Sequence, residues 1–155
     1  ALQCPEINKV YINSDSDEIL KVGNTAGAIP FKRNPKFSEN NTSMRDVVLN
    51  FVQVLISQGK TSDGIVILYP TYPFRSANDL TNMANKFYEL GGNRPLIGFK
   101  QPETHPFLCY KLKTKGPPEK IISFDENSYY RRQDYPPFYE LTMWACVLPT
   151  QESLV

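Results

Sequence analysis

The chain is poor in the residues that most often build catalytic or metal sites. Its 155 residues include one histidine, one tryptophan and three cysteines. The cysteines are odd in number, widely spaced and outside any C-x-x-C pair, so we expect free buried thiols rather than a disulfide framework or a zinc site. His105 has no serine or cysteine nucleophile motif near it, which leaves no basis for a hydrolase triad. The pair His105-Pro106 is expected in a loop. The cysteines are Cys4, Cys109 and Cys146.

The chain also lacks an excess of charge of either sign. Lysine and arginine total 17 against 16 aspartate and glutamate residues, a net charge of +1. No basic surface of the kind that binds nucleic acid is therefore expected. There is no apolar run of about 18 residues and no charged-then-apolar start, so the sequence predicts neither a membrane span nor a signal peptide. A cytoplasmic protein is the expectation.

Glycine-rich phosphate loops are missing as well. Neither G-x-G-x-x-G nor G-x-x-x-x-G-K-[ST] occurs, and this removes the main support for a dinucleotide-dependent dehydrogenase or a P-loop NTPase.

The most informative stretch present is the apolar run Ile65 to Tyr69, followed by the turn Pro70 to Arg75. The run has no polar alternation, so both of its faces are expected to be covered, as in an interior strand of a parallel sheet. The turn then lies at the carboxyl end of that strand, where ligands bind in open α/β sheets. A ligand site is therefore expected at this turn.

Helical patterns flank this strand. Ser43 and Ser76 are predicted N-caps, each with an aspartate three positions later, for helices over Ser43 to Gln58 and Ala77 to Leu90. A shorter unit, the strand Val10 to Ile12 and a helix ending near Gly23 to Gly27, precedes them. The predicted buried faces are Met44, Val48, Phe51, Val52 and Leu55, and Leu80, Met83, Ala84, Phe87 and Leu90.

The pattern changes beyond Gln101. Pro95 to Phe99 is predicted as a further buried strand, but the segment of about 101–140 has the short strands and proline turns of a small antiparallel appendage. Trp144 to Leu148 is predicted to re-enter the main sheet. The whole chain, 1–155, is expected to be a single α/β domain carrying this appendage. Within the appendage, Phe107 to Leu112 and Ile121-Ile122 are candidate strands.

Four arginines lie in loops beside proline or serine. A guanidinium in such a loop can bind phosphate or carboxylate through two hydrogen bonds, although an arginine taken singly is more often a solvated surface charge. Arg132 stands in a loop rich in tyrosine, and aromatic walls beside fixed cations suit a sugar acid. The alternative is that these tyrosines pack the appendage. The four are Arg33, Arg75, Arg131 and Arg132.

Five motifs, taken in order, resemble the CMP-sialic acid synthetase (acylneuraminate cytidylyltransferase) family. Each motif is weak alone, but they keep the order of the family and span nearly the whole chain. They are I-N-S-D-S-D-E-I at Ile12 to Ile19, G-A-I-P-F-K-R at Gly27 to Arg33, Y-P-T-Y-P-F-R at Tyr69 to Arg75, E-T-H-P at Glu103 to Pro106 and R-Q-D-Y-P at Arg132 to Pro136.

The resemblance implies transfer of CMP from CTP to a nonulosonic sugar acid, with release of pyrophosphate and help from Mg²⁺. It implies a Rossmann-like nucleotide-diphospho-sugar transferase fold and a homodimer formed through an inserted, partly antiparallel segment. By position, nucleotide-binding residues would be Arg33, Thr42 and Ser43. Sugar-binding residues would be Tyr69, Thr71, Arg75, Arg132 and Gln133.

The chain departs from the family pattern in several places. The opening strand and basic nucleotide loop of the family would lie before Ala1, and its late Asp-x-Asp metal pair beyond Val155. Tyr69 replaces a glutamine, and Glu140 to Met143 stands where an arginine and Asn-Gly are common. The resemblance therefore implies a truncated enzyme that is inactive alone, with no assigned catalytic residue and no bound metal. The alternative is a non-catalytic module that binds nucleotide or glycan, or that serves dimerisation.

Overall fold

The computed structural model describes residues 1–150 of the chain and shows a mixed α/β protein with small antiparallel sheets. It consists of two compact units. Unit 1 comprises residues 1–96 and 144–150, and unit 2 is Ile97–Met143. The helices and strands, in chain order, are β1 (Tyr11–Ser14), α1 (Asp17–Thr25), β2 (Ile29–Lys32), α2 (Met44–Ser57), β3 (Gly64–Ile67), α3 (Ala77–Glu89), β4 (Leu96–Lys100), β5 (Tyr110–Lys111), β6 (Glu119–Lys120) and β7 (Glu140–Pro149).

Unit 1 begins with a β-α-β arrangement in which β1 and β2 pair in parallel. The helix between them starts at Ser16, whose hydroxyl accepts a hydrogen bond from the Ile19 amide. The helix ends at Thr25, within the range Gly23 to Gly27 that the sequence predicted. A Cβ added to Gly23 would lie 2.6 Å from Cγ2 of Ile12, so the glycine allows α1 to pass close over β1.

The two longer helices of unit 1 confirm the predicted caps. The Ser43 hydroxyl accepts from the Asp46 amide at 3.1 Å. Ser76 and Asp79 form a complete capping box, with the Asp79 amide donating to Ser76 Oγ at 3.1 Å and the Ser76 amide donating to Asp79 Oδ2 at 3.0 Å. These hydrogen bonds satisfy amides that have no partner within the helix, which explains where each helix begins.

The buried faces of α2 and α3 are shorter than predicted. Met44 is 47% exposed and Leu90 is 59% exposed, and both were expected in the core. Both lie at an end of the predicted helix, where an i, i+4 pattern continues but the contact with the rest of the unit does not. The buried residues of the two helices are Val47, Val48 and Val52, and Leu80, Ala84 and Phe87.

The prediction that the central apolar run is an interior parallel strand is wrong. In the three-stranded sheet the order is β3, β7, β4, and β3 pairs antiparallel with β7, with Gly64 opposite Pro149 and Ile67 opposite Cys146. The four residues of β3 are half-buried. An unbroken apolar run indicates that a strand is covered, but it contains no information about the direction of the partner strand, which here arrives from the far end of the chain.

The amino-terminal segment packs on α3 through a small polar cluster. Cys4 is buried, and its Sγ lies 3.2 Å from Glu6 Oε2 and 3.3 Å from Thr81 Oγ1. The Thr81 hydroxyl donates to Glu6 Oε2 at 2.7 Å. Hydrogen bonds from Thr81 and then Cys4 lower the pKa of the Glu6 carboxyl. All three cysteines of the chain are free, as predicted, although only Cys4 is buried and the other two are half-buried.

Unit 2 has a core of aromatic rings and a two-stranded antiparallel sheet, β5 with β6. Phe107 is buried and stacks on Phe124 with ring centroids 4.0 Å apart. The strand predicted from Phe107 to Leu112 forms only at Tyr110–Lys111, because a 3₁₀ turn occupies Pro106–Leu108. The unit spans 97–143 and so encloses the segment predicted as an appendage. The description of the chain as one domain stays a prediction.

Among residues 1–150, no helix combines the length and the apolar composition needed to cross a bilayer.

Candidate functional site

The first group of predicted site residues lies at the carboxyl ends of β1 and β2. Arg33 follows β2 directly, and its Nε donates to Asn13 Oδ1 at 2.9 Å while its Nη2 donates to the Asn13 carbonyl at 2.8 Å. Its own amide donates to the Ser14 carbonyl at 2.9 Å. The guanidinium is therefore fixed beside the end of the parallel pair, with Nη1 and the second hydrogen of Nη2 left for a ligand.

Thr42 and Ser43 lie before α2. The Ser43 hydroxyl already caps that helix and bonds to Asp46 Oδ2 at 2.7 Å, and the Thr42 amide donates to the Glu39 carbonyl at 3.0 Å. Within residues 1–150, no hydrogen bond joins Arg33 to either residue. Their assignment to a nucleotide site stays a prediction.

The second group lies at the carboxyl end of β3. Arg75 donates from Nε to the Trp144 carbonyl and from Nη2 to the Tyr69 carbonyl, both at 2.7 Å. The register of β3 with β7 places Tyr69 opposite Trp144, two residues beyond the last paired position. Arg75 therefore satisfies the two carbonyls at the point where β3 leaves the sheet, which the sequence did not indicate.

The surroundings of Arg75 and Tyr69 are partly dehydrated. The Arg75 guanidinium lies 5.8 Å from the centre of the Trp144 ring. Burial lowers the pKa of Arg75. Burial, and then the charge of Cys146, raises the pKa of the Tyr69 phenol. The raised pKa keeps the Tyr69 phenol neutral near neutral pH, and Arg75 is a cation there because a guanidinium does not lose its proton in proteins.

The turn between these two residues presents its side chains outward. Thr71 is exposed, and Phe74 is 94% exposed although it directly precedes the anchored Arg75. The Tyr72 amide closes the turn by donating to the Tyr69 carbonyl at 3.2 Å. Phe74 was not among the predicted site residues, although its exposed ring lies on a turn that is fixed at its base.

A third group forms a cavity of about 260 Å³ within unit 2. Arg132 contributes from the 3₁₀ turn Arg132–Asp134, and Gln133 lies in the same turn with its side chain exposed. Arg131 forms two side-chain hydrogen bonds of 3.0 Å with Asp134, whereas the guanidinium of Arg132 has no ion pair or hydrogen-bond partner in the described part of the chain. The lining is Gln101, Pro102, Glu103, His105, Leu108, Arg132, Tyr135, Pro137 and Phe138.

His105 is the functional candidate that sequence reasoning missed. It lies in a loop, as expected, but its ring is packed among aromatic rings, with Phe107 and Tyr135 at centroid distances of 4.7 Å and Phe138 at 4.8 Å. Its Nδ1 accepts from the Phe107 amide at 3.2 Å, and its Nε2 lies 3.0 Å from the Pro136 carbonyl. The signal in the sequence was the following proline, since proline favours the first position of a helical turn and the residue before it caps that turn.

The donor set does not suit a metal ion. Across residues 1–150, no three histidine, cysteine, aspartate or glutamate side chains are grouped closely enough to hold one.

The chain was compared with protein families, with known protein sequences and with solved structures. No protein-family model matches the chain. The chain is 32% identical over 133 residues to the pseudaminic acid cytidylyltransferase of Campylobacter jejuni subsp. jejuni serotype O:2, a match that covers 85% of this chain and 56% of that protein. The chain therefore spans little more than half the length of this relative.

The structural match is the solved structure of CMP:2-keto-3-deoxy-manno-octonic acid synthetase complexed with CTP. The TM-score is 0.62 at 11% identity, and the match covers 96% of this chain and 59% of the other. At that identity the likeness concerns the fold, and it confirms the predicted nucleotidyltransferase-like fold class. Together the two matches support a relationship of this chain, over the part that it spans, to the CMP-sialic-acid-synthetase-like family of cytidylyltransferases.

Proposed function

We propose that the chain is the sugar-acid-binding part of a cytidylyltransferase that transfers CMP from CTP to a nonulosonic acid and releases pyrophosphate. The observation that carries the proposal is the guanidinium of Arg132, which has no partner among the described residues and lines an aromatic-walled cavity. A nonulosonic acid has a carboxylate and several hydroxyls. A guanidinium binds the carboxylate through two charge-assisted hydrogen bonds, and aromatic and polar walls suit the sugar ring.

In the proposed reaction a hydroxyl of the sugar acid attacks the α-phosphorus of CTP. One phosphorus–oxygen bond forms to the sugar, the bond to the pyrophosphate oxygen breaks, and the hydroxyl proton is released. Reactions of this type depend on positioning and on neutralising charge rather than on covalent chemistry by the protein. In our proposal Arg132 and Gln133 bind the sugar acid, and the resemblance also assigns Tyr69, Thr71 and Arg75 to this ligand.

The nucleotide is assigned in the same proposal to Arg33, Thr42 and Ser43. Its support is the position of Arg33 at the carboxyl ends of two parallel strands, with guanidinium N–H groups still free to donate. Mg²⁺ is part of the proposed complete reaction, in which it would neutralise charge on the phosphates. The proposal includes a cytoplasmic location.

Ligand-dependent melting tests the proposal directly. CTP and pseudaminic acid, each added alone at about 100 times its dissociation constant, should each stabilise the chain by about 2.7 kcal/mol. The isolated chain should nevertheless form no CMP-sugar and release no pyrophosphate from the two substrates with Mg²⁺, because it has no cluster of metal ligands in its described part. Unchanged melting with both ligands would contradict the binding assignment, and pyrophosphate release would contradict the expected inactivity.

We also propose that a second copy of the chain covers an apolar face of unit 2. On one face of β4 and β7, a Cβ added to Gly98 would lie 2.7 Å from Thr142 Oγ1, and Lys100 pairs with Glu140 at 2.8 Å. Since successive side chains along a strand point to opposite faces, the residues that alternate with these four lie on the opposite face. Their exposed fractions are 38% for Ile97, 63% for Phe99, 53% for Leu141 and 43% for Met143.

This dimer is tested by sedimentation of the variant Phe99→Lys with Met143→Lys. Burying two cations in an apolar interface is costly, so the double variant should be monomeric at concentrations at which the wild-type chain is a dimer. Leu112→Lys is the control, because Leu112 is 79% exposed on the turn after β5 and lies outside the proposed face. If the chain dimerises through this face but binds neither CTP nor pseudaminic acid, the alternative of a dimerisation module is favoured.

A further inference from the structure

We propose that His105 is a positioning residue for the Arg132 cavity, and that it acts only as the neutral imidazole with its proton on Nε2. The ring makes two hydrogen bonds of opposite kind. Nδ1 lies 3.2 Å from the Phe107 amide nitrogen, and Nε2 lies 3.0 Å from the Pro136 carbonyl oxygen. We call this pair of bonds the His105 clasp. The inference rests on the proposed function, because it concerns how the sugar-acid cavity is shaped.

The two partners determine where the proton is. A backbone amide can only donate, so Nδ1 must be the acceptor. A carbonyl oxygen can only accept, so Nε2 must hold the hydrogen. A protonated ring would direct a second N–H at the Phe107 amide, two donors facing each other. The clasp is therefore incompatible with the imidazolium form.

The clasp joins the two walls of the cavity. Residues 101–108 form one wall, and residues 132–138, which include Arg132, form the other. Between these two segments the Nε2–H bond to Pro136 is a direct polar link, and the contact of His105 with the rings of Tyr135 and Phe138 lies beside it. Without the hydrogen bond from His105 to Pro136, the 132–138 segment is held less firmly, and the Arg132 guanidinium is no longer fixed in the cavity wall.

Four other titratable groups lie near the ring. Glu103, Arg132 and Tyr135 line the same cavity, and Cys109 Sγ lies 3.9 Å from the carbonyl oxygen of His105. A pH response of the cavity must therefore be assigned to His105 by substitution and not by the pH range alone.

A second cap in the chain, formed by Asn34, indicates which substitution of His105 would remove one of the two bonds and keep the other. Asn34 caps the 3₁₀ turn Pro35–Phe37, and its Oδ1 accepts from the amide two residues later at 3.0 Å, the same relation that His105 has to Phe107. Both caps are followed by a proline. His105→Asn should thus keep the cap on Phe107, lose the bond to Pro136 and remove the titrating ring.

The first measurement is a nitrogen–proton correlation spectrum of the single histidine ring in ¹⁵N-labelled protein at about pH 8. We expect a protonated Nε2 and an unprotonated Nδ1. The spectrum is then recorded again on acidification to about pH 5. The Phe107 amide and the Tyr135 ring should then shift in the same transition as the His105 ring. A ring protonated on Nδ1 at pH 8, or a Phe107 amide that does not follow the ring, would overturn the inference.

The second measurement is the affinity for pseudaminic acid at the two pH values. Its carboxylate stays ionised throughout, since carboxyl groups of this kind titrate near pH 3 to 4. The affinity of the wild-type chain should fall about fivefold on acidification, the loss expected for about one hydrogen bond. His105→Asn should bind about fivefold more weakly than wild type at pH 8 and show no further loss at pH 5. Asn34→Ala removes the equivalent cap in unit 1, and its pH response should equal that of the wild type.

These results separate the clasp from the proposed function. A chain that shows the expected tautomer and the shared transition, but binds no pseudaminic acid at either pH, supports the clasp and contradicts the sugar-acid assignment. If wild type and His105→Asn lose affinity equally on acidification, another group is responsible and the clasp is refuted.

Discussion

Replacement of Arg132 by alanine is expected to weaken pseudaminic acid binding by about 10- to 100-fold, the effect of losing hydrogen bonds between charged groups. The reason is that Arg132 is the cation of the cavity wall and has no partner within residues 1–150, so its hydrogen bonds are available to a carboxylate. CTP affinity should stay within about twofold of the wild-type value, because the residues assigned to the nucleotide belong to the other unit. Titration calorimetry with each ligand separately gives both numbers.

Arg131→Ala is the matched control. Arg131 is the neighbouring residue, but its guanidinium is occupied by Asp134 through two hydrogen bonds, and its side chain is 68% exposed. Such an exposed pair contributes at most about 1 kcal/mol. Arg132→Lys retains the charge without the planar fork and should recover only part of the affinity. Equal losses for Arg131→Ala and Arg132→Ala would mean that general positive charge, and not the cavity, binds the acid.

The sequence was most informative about local structure. Both serine caps, both long helices and the return strand near Trp144 to Leu148 were predicted correctly, because N-capping and helical periodicity depend on neighbours within a few residues. The direction of β3 was not, because it depends on β7, whose partner positions are about 80 residues away along the chain. Local propensity contains no information about such a pairing.

The same distinction applies to the candidate site. Arg132 was selected from the tyrosine-rich loop around it, and the structure places it in a cavity wall. The two adjacent arginines differ because Arg131 pairs with Asp134. This difference depends on side-chain geometry and cannot be read from the sequence Arg131-Arg132. His105 was missed because one of its two hydrogen-bond partners, Pro136, lies 31 residues further along the chain.

Arg75 was predicted from its position at the end of a strand to bind the sugar acid, and its hydrogen bonds indicate a second role. Arg75→Ala is expected to lower the free energy of unfolding by about 2 to 3 kcal/mol, because the Tyr69 and Trp144 carbonyls lose charge-assisted hydrogen bonds in a partly buried position. The turn from Pro70 to Phe74 should also become mobile, since its closing residue is no longer anchored. Urea unfolding measures the first effect, and amide hydrogen exchange of the turn measures the second.

Two variants separate this anchoring role from ligand binding. Phe74→Ala changes the preceding residue, which is 94% exposed, and should alter stability by less than about 0.5 kcal/mol. Arg75→Lys keeps a cation, but its single ammonium has no planar fork with which to reach both carbonyls, so it should be destabilised nearly as much as Arg75→Ala. If Arg75→Ala is as stable as Phe74→Ala but binds pseudaminic acid more weakly, Arg75 contacts the ligand without anchoring the turn. If Arg75→Ala is less stable but its folded form binds pseudaminic acid as tightly as the wild type, Arg75 only anchors the turn. The sugar acid would then be bound by the exposed side chains of the turn.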